Sequence, residues 1–553
     1  MKSRNRTLIT VLAVVVLTSP LHATAATKAT KPTKTTKTKP ATKSTKATAT
    51  VATTTPTSAT AVPAPGRTLP TGTLRIGVPS DTATLDPQRE SFPTNNTLLP
   101  IYDTLTTFDK KYQAQPWLAT SWKLTDPLTW RFQLRKDVKF HDGSTFDATV
   151  VKLTLERGRA IEASPYRSTF RNIGSVTVVD ASTVDIQTVE PVPNFPFLMA
   201  SLAGAMISPK AIAANTNLTR ATAGSGGWIW DQSALVPASK QVMRANPDYW
   251  NPDAVRVGTI EVYLFVDVNA RLNALQSGQI DMLGDLPSAL RDSATRAGMN
   301  VLADFTQTSV LHIIDRAGTK VPALANDRVR EAIGLLIDRT AYNKVVEGGY
   351  GDSVPGGFAR KDSPFYADDL DSLYPPSPQV AKAKKLLAEA GYPDGFSMDL
   401  PTTPAIGLNT SAISQMLREG GIKVNLVTAV SGTYTPRIIN GDFPAYFTIP
   451  SSIDLFSWWR DTVSTKSARG GAFKLNDLYG LEARFQSALA TSDVKRQAAA
   501  FADLQRDVIL SGVMFPLSAR AHATAFSKKV TVPATAIWGP DDTMPRPFYV
   551  SVS

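Results

Sequence analysis

The 553-residue chain contains no cysteine and only four histidines. Without cysteine there is no disulfide, no thiolate nucleophile, no cysteine-ligated metal and no cysteine to carry a lipid anchor. Stability must therefore come from the size of the hydrophobic core. Long apolar runs are also missing. The longest, "LITVLAVVVL" near the N-terminus, falls short of the roughly 20 residues that a membrane span needs. Acidic residues are absent from the first 70 positions, which hold eleven of the 59 basic ones. The remainder is nearly neutral, so the basic pI does not signal a nucleic-acid groove.

What is present at the N-terminus reads as an export signal over residues 1–25. Lys2, Arg4 and Arg6 precede the apolar run, and Ala23-Thr24-Ala25 offers a small-residue cleavage site. Residues 26–70 are almost entirely Thr, Lys, Ala, Pro, Ser and Val. Such a composition cannot bury enough surface to repay chain ordering, and predicts a disordered leader. The expected product is exported, soluble, periplasmic or extracellular, and free of a lipid anchor.

The rest is too long for one core, since cores stop growing at about 250 to 300 residues. Alternation of Leu74, Ile76 and Val78 predicts a first strand that leaves at Pro79. The segment "WLATSWKLTDPLTWRFQLRKDVKF" predicts an antiparallel meander, and "FDATVVKLTLERGRA" a helix capped by Thr145 or Asp147. From "RVGTIEVYLFVD" onward strands and helices alternate. "NDRVREAIGLLIDRTAYNKVVEGGYG" predicts a helix capped at Asn326 or Asp327, and "LEARFQSALATSDVKRQAAAFADLQRDVILSG" two helices split at Thr491-Ser492-Asp493. The composite is α/β with an early, mostly β insertion.

Catalytic signatures are not found. There is no G-x-S-x-G elbow, no H-E-x-x-H helix and no G-x-x-x-x-G-K-[ST] loop. His22 leaves with the signal. His312 and Asp315 flank two β-branched residues, so a strand, with the pair on opposite faces, is favoured over a metal pair on a helix. Gly224 to Gly227 lack the third glycine of a dinucleotide fingerprint and read as a turn. "KFHDGSTFD" reads as a strand, a His141-Asp142-Gly143 turn and a helix cap. No enzyme, cofactor or metal is expected.

The order of these motifs resembles the family 5 extracellular solute-binding proteins, the peptide and nickel type that feed ABC importers. The runs that carry it include "LRIGVPSDTATLDP", "PWLATSWKL", "WRFQLRKDVKFHDGSTFDATVV", "GSGGWIW", "NPDYW", "NDRVREAIGLLIDR" and "AKKLLAEAGYPDGF". The resemblance implies a two-lobed periplasmic-binding-protein-like fold (type II, cluster C) with an additional inserted domain. Lobe I would comprise 71–108, 224–305 and 516–553, the insert 109–223, and lobe II 306–515. It implies capture of a small solute, most readily an oligopeptide, between the lobes, with importer permease subunits as partners and a monomeric state. In peptide-binding members an aspartate of the second lobe meets the ligand amine, and "FTIPSSIDLFSWWRD" is the matching loop. It points to Asp454 for the amine, Trp458 and Trp459 for stacking, and Arg460 for a carboxylate. Tyr102 and Trp228 are the matching first-lobe candidates. The tryptophan usual about three residues before that aspartate is missing here, where Ser451 or a neighbour stands, so peptide specificity stays open.

Two rivals remain at this level, a secreted hydrolase with an unrecognised site and a wall-associated scaffold held by its lysines. The scaffold reading predicts that deleting residues 27–66 releases the protein from cell walls into the medium, as read by fractionation and blotting.

Overall fold

The computed structural model describes residues 68–553, apart from 83, 91–94, 220, 353–357, 360–362, 364, 431–432, 451–455, 457–458, 461–479, 492, 535 and 537–543. Its backbone is one eight-stranded sheet with smaller sheets and helices around it. In chain order the eight strands are β1 (Thr73–Val78), β2 (Trp228–Trp230), β3 (Lys240–Ala245), β4 (Thr259–Leu264), β5 (Met282–Leu283), β6 (Asn300–Ile313), β7 (Ala445–Thr448) and β8 (Met514–Phe526). They lie side by side as β7-β6-β8-β5-β1-β4-β3-β2. β1 is parallel to β4 and β5, and every other neighbour is antiparallel. As expected, Leu74, Ile76 and Val78 are buried. The polar Arg75 between them donates Nε and Nη2 to both oxygens of Asp281, each at 2.8 Å. That bidentate pair ties the centre of β1 to the turn before β5.

Two strands are exceptional in length. β6 has 14 residues and β8 has 13, so each spans about 45 Å at the usual rise per residue. They pair antiparallel from Asn300↔Phe526 to His312↔Met514, with register shifts between Phe305 and Gln307 and between Ser309 and Val310. Their ends enter different cores. Val310, Leu311, Met514, Phe515 and Leu517 belong to a cluster built from residues 310–517. Ala523 and Ala525 join a small cluster with helix residues Leu272, Leu275 and Ala294, and Phe526 joins a third made of residues 74–262 and 526–550. β6 and β8 are therefore the crossing between lobes.

The inserted segment carries a four-stranded antiparallel sheet of Ala119–Asp126, Thr129–Leu134, Thr183–Thr188 and Ile173–Asp180, in that spatial order. Phe132, Val176, Val184 and Ile186 form its buried face, while Arg131 and Asp185 pair on the other at 2.7 Å. Helix α1 (Ala148–Ala160) is capped by Asp147, whose carboxylate accepts from the amides of Thr149 and Val150. Ahead of it, Asp142 accepts from Ser144 N, and Gly143 takes φ +78°. The expected turn is there. The strand expected before it is only a single bridge between Lys139 and Thr145, because the turn closes on itself and the chain then docks elsewhere. His141 N–H donates to Gly224 O, and its Nε2 lies 3.0 Å from Gly226 O. The imidazole is pushed down to about 4 by burial, which leaves it neutral.

The glycine cluster owes its composition to close approach. A side chain at Gly224 would put its Cβ 2.0 Å from Ile101 O, and one at Gly226 2.4 Å from Pro100 O. Beside this contact lies the carboxylate of Asp103, fully buried, which accepts from Trp117 Nε1, Tyr249 OH, Ser225 Oγ and Trp250 Nε1 at 2.7, 2.8, 2.9 and 3.2 Å. Three segments, around residues 117, 225 and 249–250, meet on one side chain.

Helix α2 (Ser288–Arg296) follows β5. Past the crossing, α3 (Asp327–Leu336) is capped by Asn326 and α4 (Arg339–Val346) by Asp338. One continuous helix was expected here. The chain breaks at Ile337 because the Asp338 side chain accepts from Ala341 N and begins a new one. Helix Val380–Glu389, strand Ser397–Thr402, helix Gly407–Arg418 and strand Lys423–Thr428 follow the expected repeat, with the strands parallel. The split at Thr491–Asp493 is also found, with Asp493 capping Val494–Leu510.

Burial pushes the Asp103 carboxyl up to about 6, against the opposing pull of its four donors. The folded-state value thus lies above that of the unfolded chain, so folding takes up a proton. The associated stability is whole below about pH 4 and is lost as pH rises through 6, on the order of 3 kcal/mol. Urea unfolding at pH 4 and pH 6.5 should show Asp103→Asn with the shallower dependence by about this amount; equal slopes would contradict the assignment.

Candidate functional site

In an open sheet, ligands meet the carboxyl ends of parallel strands where the strand order switches. Here that switch is β1, flanked by β4 and β5, and the direction of the crossing shows where its end lies. β5 runs antiparallel to β8 with Leu283 opposite Ala525, and Leu286 N–H donates to Ala523 O beyond it. The carboxyl ends of the parallel strands therefore point along β8 toward Met514, that is, toward the second lobe. Ser80, Asp81, Gly284 and Asp285 stand at this edge. Asp285 holds φ +52°, and its carboxylate lies 3.7 Å from His522 Nδ1.

The middle of the crossing is polar. Thr306, Gln307, Thr308 and Ser309 interrupt an otherwise apolar second half of β6, and Ser518, Arg520 and His522 alternate along β8. Ser309 faces Ser518, and Gln307 faces Arg520. Four buried oxygens here, Ser80 Oγ, Thr306 Oγ1, Gln307 Oε1 and Ser518 Oγ, have no hydrogen-bond partner among the described residues. Buried polar atoms are nearly always satisfied by protein or by ordered water, so these four are available to hydrogen-bond with water or a solute. Beside it, burial pushes the Glu347 carboxyl up, with Arg520 and then Arg291 pulling it back. His522 is pushed down to about 4 by burial and by Arg520, so it is neutral at physiological pH.

Four of the six residues expected at the ligand are among the described residues. Tyr102 is fully buried; its hydroxyl donates to Leu85 O at 3.0 Å and accepts from Ala223 N. Trp228, also fully buried, donates Nε1 to Val257 O and packs on Phe548. Trp459 is fully buried and stacks on Phe485, ring centroids 5.2 Å apart. These three rings are packed inside the protein, each at most 1% exposed. Arg460 is half-buried. Asp454 and Trp458 lie outside the described residues; Pro450 O accepts from Thr308 N of the crossing at 3.0 Å. Sequence reasoning missed the crossing hydroxyls. The available signal was the polar run Thr306–Ser309 inside a strand pattern.

Among the described residues no group of three or more histidine, aspartate or glutamate side chains could hold a metal ion, and no helix is long and apolar enough to cross a membrane. Two lobes, a two-strand crossing and a polar junction define a binding-protein architecture. The sequence profile of the "Bacterial extracellular solute-binding proteins, family 5 Middle" matches residues 113–466, more than half of the chain. The chain belongs to this family, the solute-binding proteins of ABC importers. Its relatives include a glutathione-binding protein, GsiB, of Salmonella choleraesuis, 30% identical over 372 residues that make up 65% of this chain and 69% of the relative. The fold matches that of the Helicobacter pylori periplasmic binding protein DppA in complex with the peptide STSA, with TM-score 0.71 and 22% identity over 87% of this chain and 98% of that one. It also matches Brucella suis NikA in complex with Fe(III)-EDTA, with TM-score 0.73 and 21% identity over 85% and 98%. Family members bind different small ligands, and the family is one of binding proteins rather than enzymes.

Core placement of the tryptophans has a measurable consequence. Trp228→Ala and Trp459→Ala should each cost about 3 to 5 kcal/mol in urea unfolding, whereas Arg460→Ala, half-exposed, should cost less than about 1 kcal/mol. Losses below about 1 kcal/mol for both tryptophans would return them to the surface.

Proposed function

We propose that this protein captures a small amine-bearing solute, most readily a short peptide, at the interlobe crossing and delivers it to importer permease subunits. The observation that carries the reading is the set of unpartnered oxygens on Ser80 of the first lobe and on Thr306, Gln307 and Ser518 of the crossing strands. A solute with several hydrogen-bonding groups satisfies them all at once and thereby favours the closed arrangement of the lobes. Asp454 supplies the anion for the ligand amine and Arg460 the cation for a carboxylate, with Trp458 as a stacking surface. The relative named for glutathione supports a tripeptide-sized ligand, because glutathione carries one amino group and two carboxylates. No covalent step is involved. The protein acts as an exported, soluble monomer without a lipid anchor, and its lobes divide at 71–108, 224–305 and 516–553 against 306–515, with 109–223 inserted.

Native mass spectrometry of the purified chain, followed by a thermal-shift screen of di- to tetrapeptides, tests this. A peptide at a hundredfold excess over its Kd should stabilise the protein by about 2.7 kcal/mol. Acetylating the peptide's amino terminus, or changing Asp454→Ala, should abolish most of that shift. If stabilisation comes only from metal chelates or sugars, the peptide reading is wrong; if acetylation leaves the shift intact, Asp454 does not hold an amine.

A further inference from the structure

Two strands cross between the lobes, yet a third piece of chain also bridges them. Segment Glu347–Asp352 leaves the end of α4, a second-lobe helix, and returns to the crossing. Asp352 exchanges two backbone hydrogen bonds with Ala519 of β8, each 3.0 Å, at the position opposite Thr308. Gly351 is clamped from behind: Asn343 Nδ2 donates to its carbonyl and Asn343 Oδ1 accepts from its amide, both at 2.8 Å. The same short segment touches the first lobe through α2. Tyr350 OH donates to Asp292, the Arg291 guanidinium lies 4.8 Å from the centre of the Tyr350 ring, and Gly348 takes φ +60° against Ser288, where a side chain would lie 3.3 Å from the Ser288 Cβ. Arg291 in turn donates Nη2 to Ala521 O of β8. One end of this segment is thus bound to the second lobe, the middle to the first, and the far end to the strand that joins them.

We infer that Glu347–Asp352 is a strut that sets the angle between the lobes, with Tyr350 as the side chain that engages and releases the first lobe. A two-stranded antiparallel ribbon with two register shifts twists and bends easily. A third attachment a short distance to one side converts that bend into a motion about a fixed line, in the manner of a hinge whose rotation is limited by one contact. The Tyr350 contact suits the role, since it is half-exposed and made of one hydrogen bond and one cation–π stack, so it can open without unfolding either core. The strut would thereby tune ligand affinity without touching ligand. This rests on interlobe closure as the binding motion, but not on the ligand's identity.

Since the chain has no cysteine, spin labels can be placed on Val189→Cys and Leu408→Cys alone, exposed positions on opposite sides of the crossing, and their distance distribution read by pulsed electron resonance. The protein with Tyr350 intact should show one dominant distance. Tyr350→Ala should change the ratio of distance populations by about tenfold, the combined effect of a hydrogen bond and a cation–π contact. Tyr350→Phe, which keeps the ring and preserves packing, should give an intermediate change and serves if the alanine variant does not fold. Broad and identical distributions in all three proteins would overturn the strut and leave closure standing. A single narrow distance in all three would overturn the strut together with interlobe closure.

Discussion

The pairing of β6 with β8 is the constraint on which the rest of the structure depends. Each strand is anchored at one end in the core of residues 310–517 and at the other among first-lobe side chains. A ladder of this length cannot slip by one residue without turning Leu311, Phe515 and Leu517 out of one core and Ala523 and Ala525 out of another. The lobes are therefore held in fixed register along the crossing while remaining able to rotate about it. The two irregularities fall at Phe305–Gln307 and Ser309–Val310, between the cores. There the ladder is weakest and a bend costs least.

The same location explains why the middle of the crossing is polar. Apolar side chains at 306–309 and 518–520 would extend one core into the other and fuse the lobes into a single rigid body. Hydroxyl and amide groups there can be hydrated when the lobes part, so opening would not expose apolar surface. Elsewhere the chain uses buried polar groups for the opposite purpose. Asp103, with its four donors, and Arg75, with both oxygens of Asp281, join segments far apart in sequence inside the first lobe. A chain without disulfides fastens distant segments by saturated, directional groups instead.

How much of this was legible beforehand varies with the range of the interaction responsible. Helix caps at Asp147 and Asn326, the split before Asp493, the turn at Asp142-Gly143 and the alternation of β1 all follow from contacts within a few residues, and all were readable. So was the repeated helix-then-strand plan of 380–428. The break at Asp338 is local too, but an unbroken apolar stripe from Val329 to Ile337 concealed it. The tryptophans were not readable in this way. Trp228 and Trp459 were expected at ligand only from the family resemblance of their motifs, and the type of ring carries no information about which neighbour covers it. That is decided by Phe548 and Phe485, respectively 320 and 26 positions away. The crossing hydroxyls left one signal, the polar run Thr306–Ser309 within β6, but the two cores that it separates are decided by residues far away in sequence.

Placing binding groups on the hinge itself, rather than deep in either lobe, links affinity to geometry. On the proposed reading, a ligand held by Ser80 from the first lobe and by Thr306, Gln307 and Ser518 from the crossing would gain its full set of hydrogen bonds only at one interlobe angle. Any change in the preferred angle is therefore a change in affinity, even when no contacting residue is altered, because the free energy of reaching that angle is subtracted from binding. The family binds chemically diverse solutes on one fold. On the proposed reading, side chains that meet the solute determine which one fits, while the crossing strands and whatever limits their rotation set how tightly it is held. These two sets of residues can then change independently, which is what allows one fold to serve many ligands.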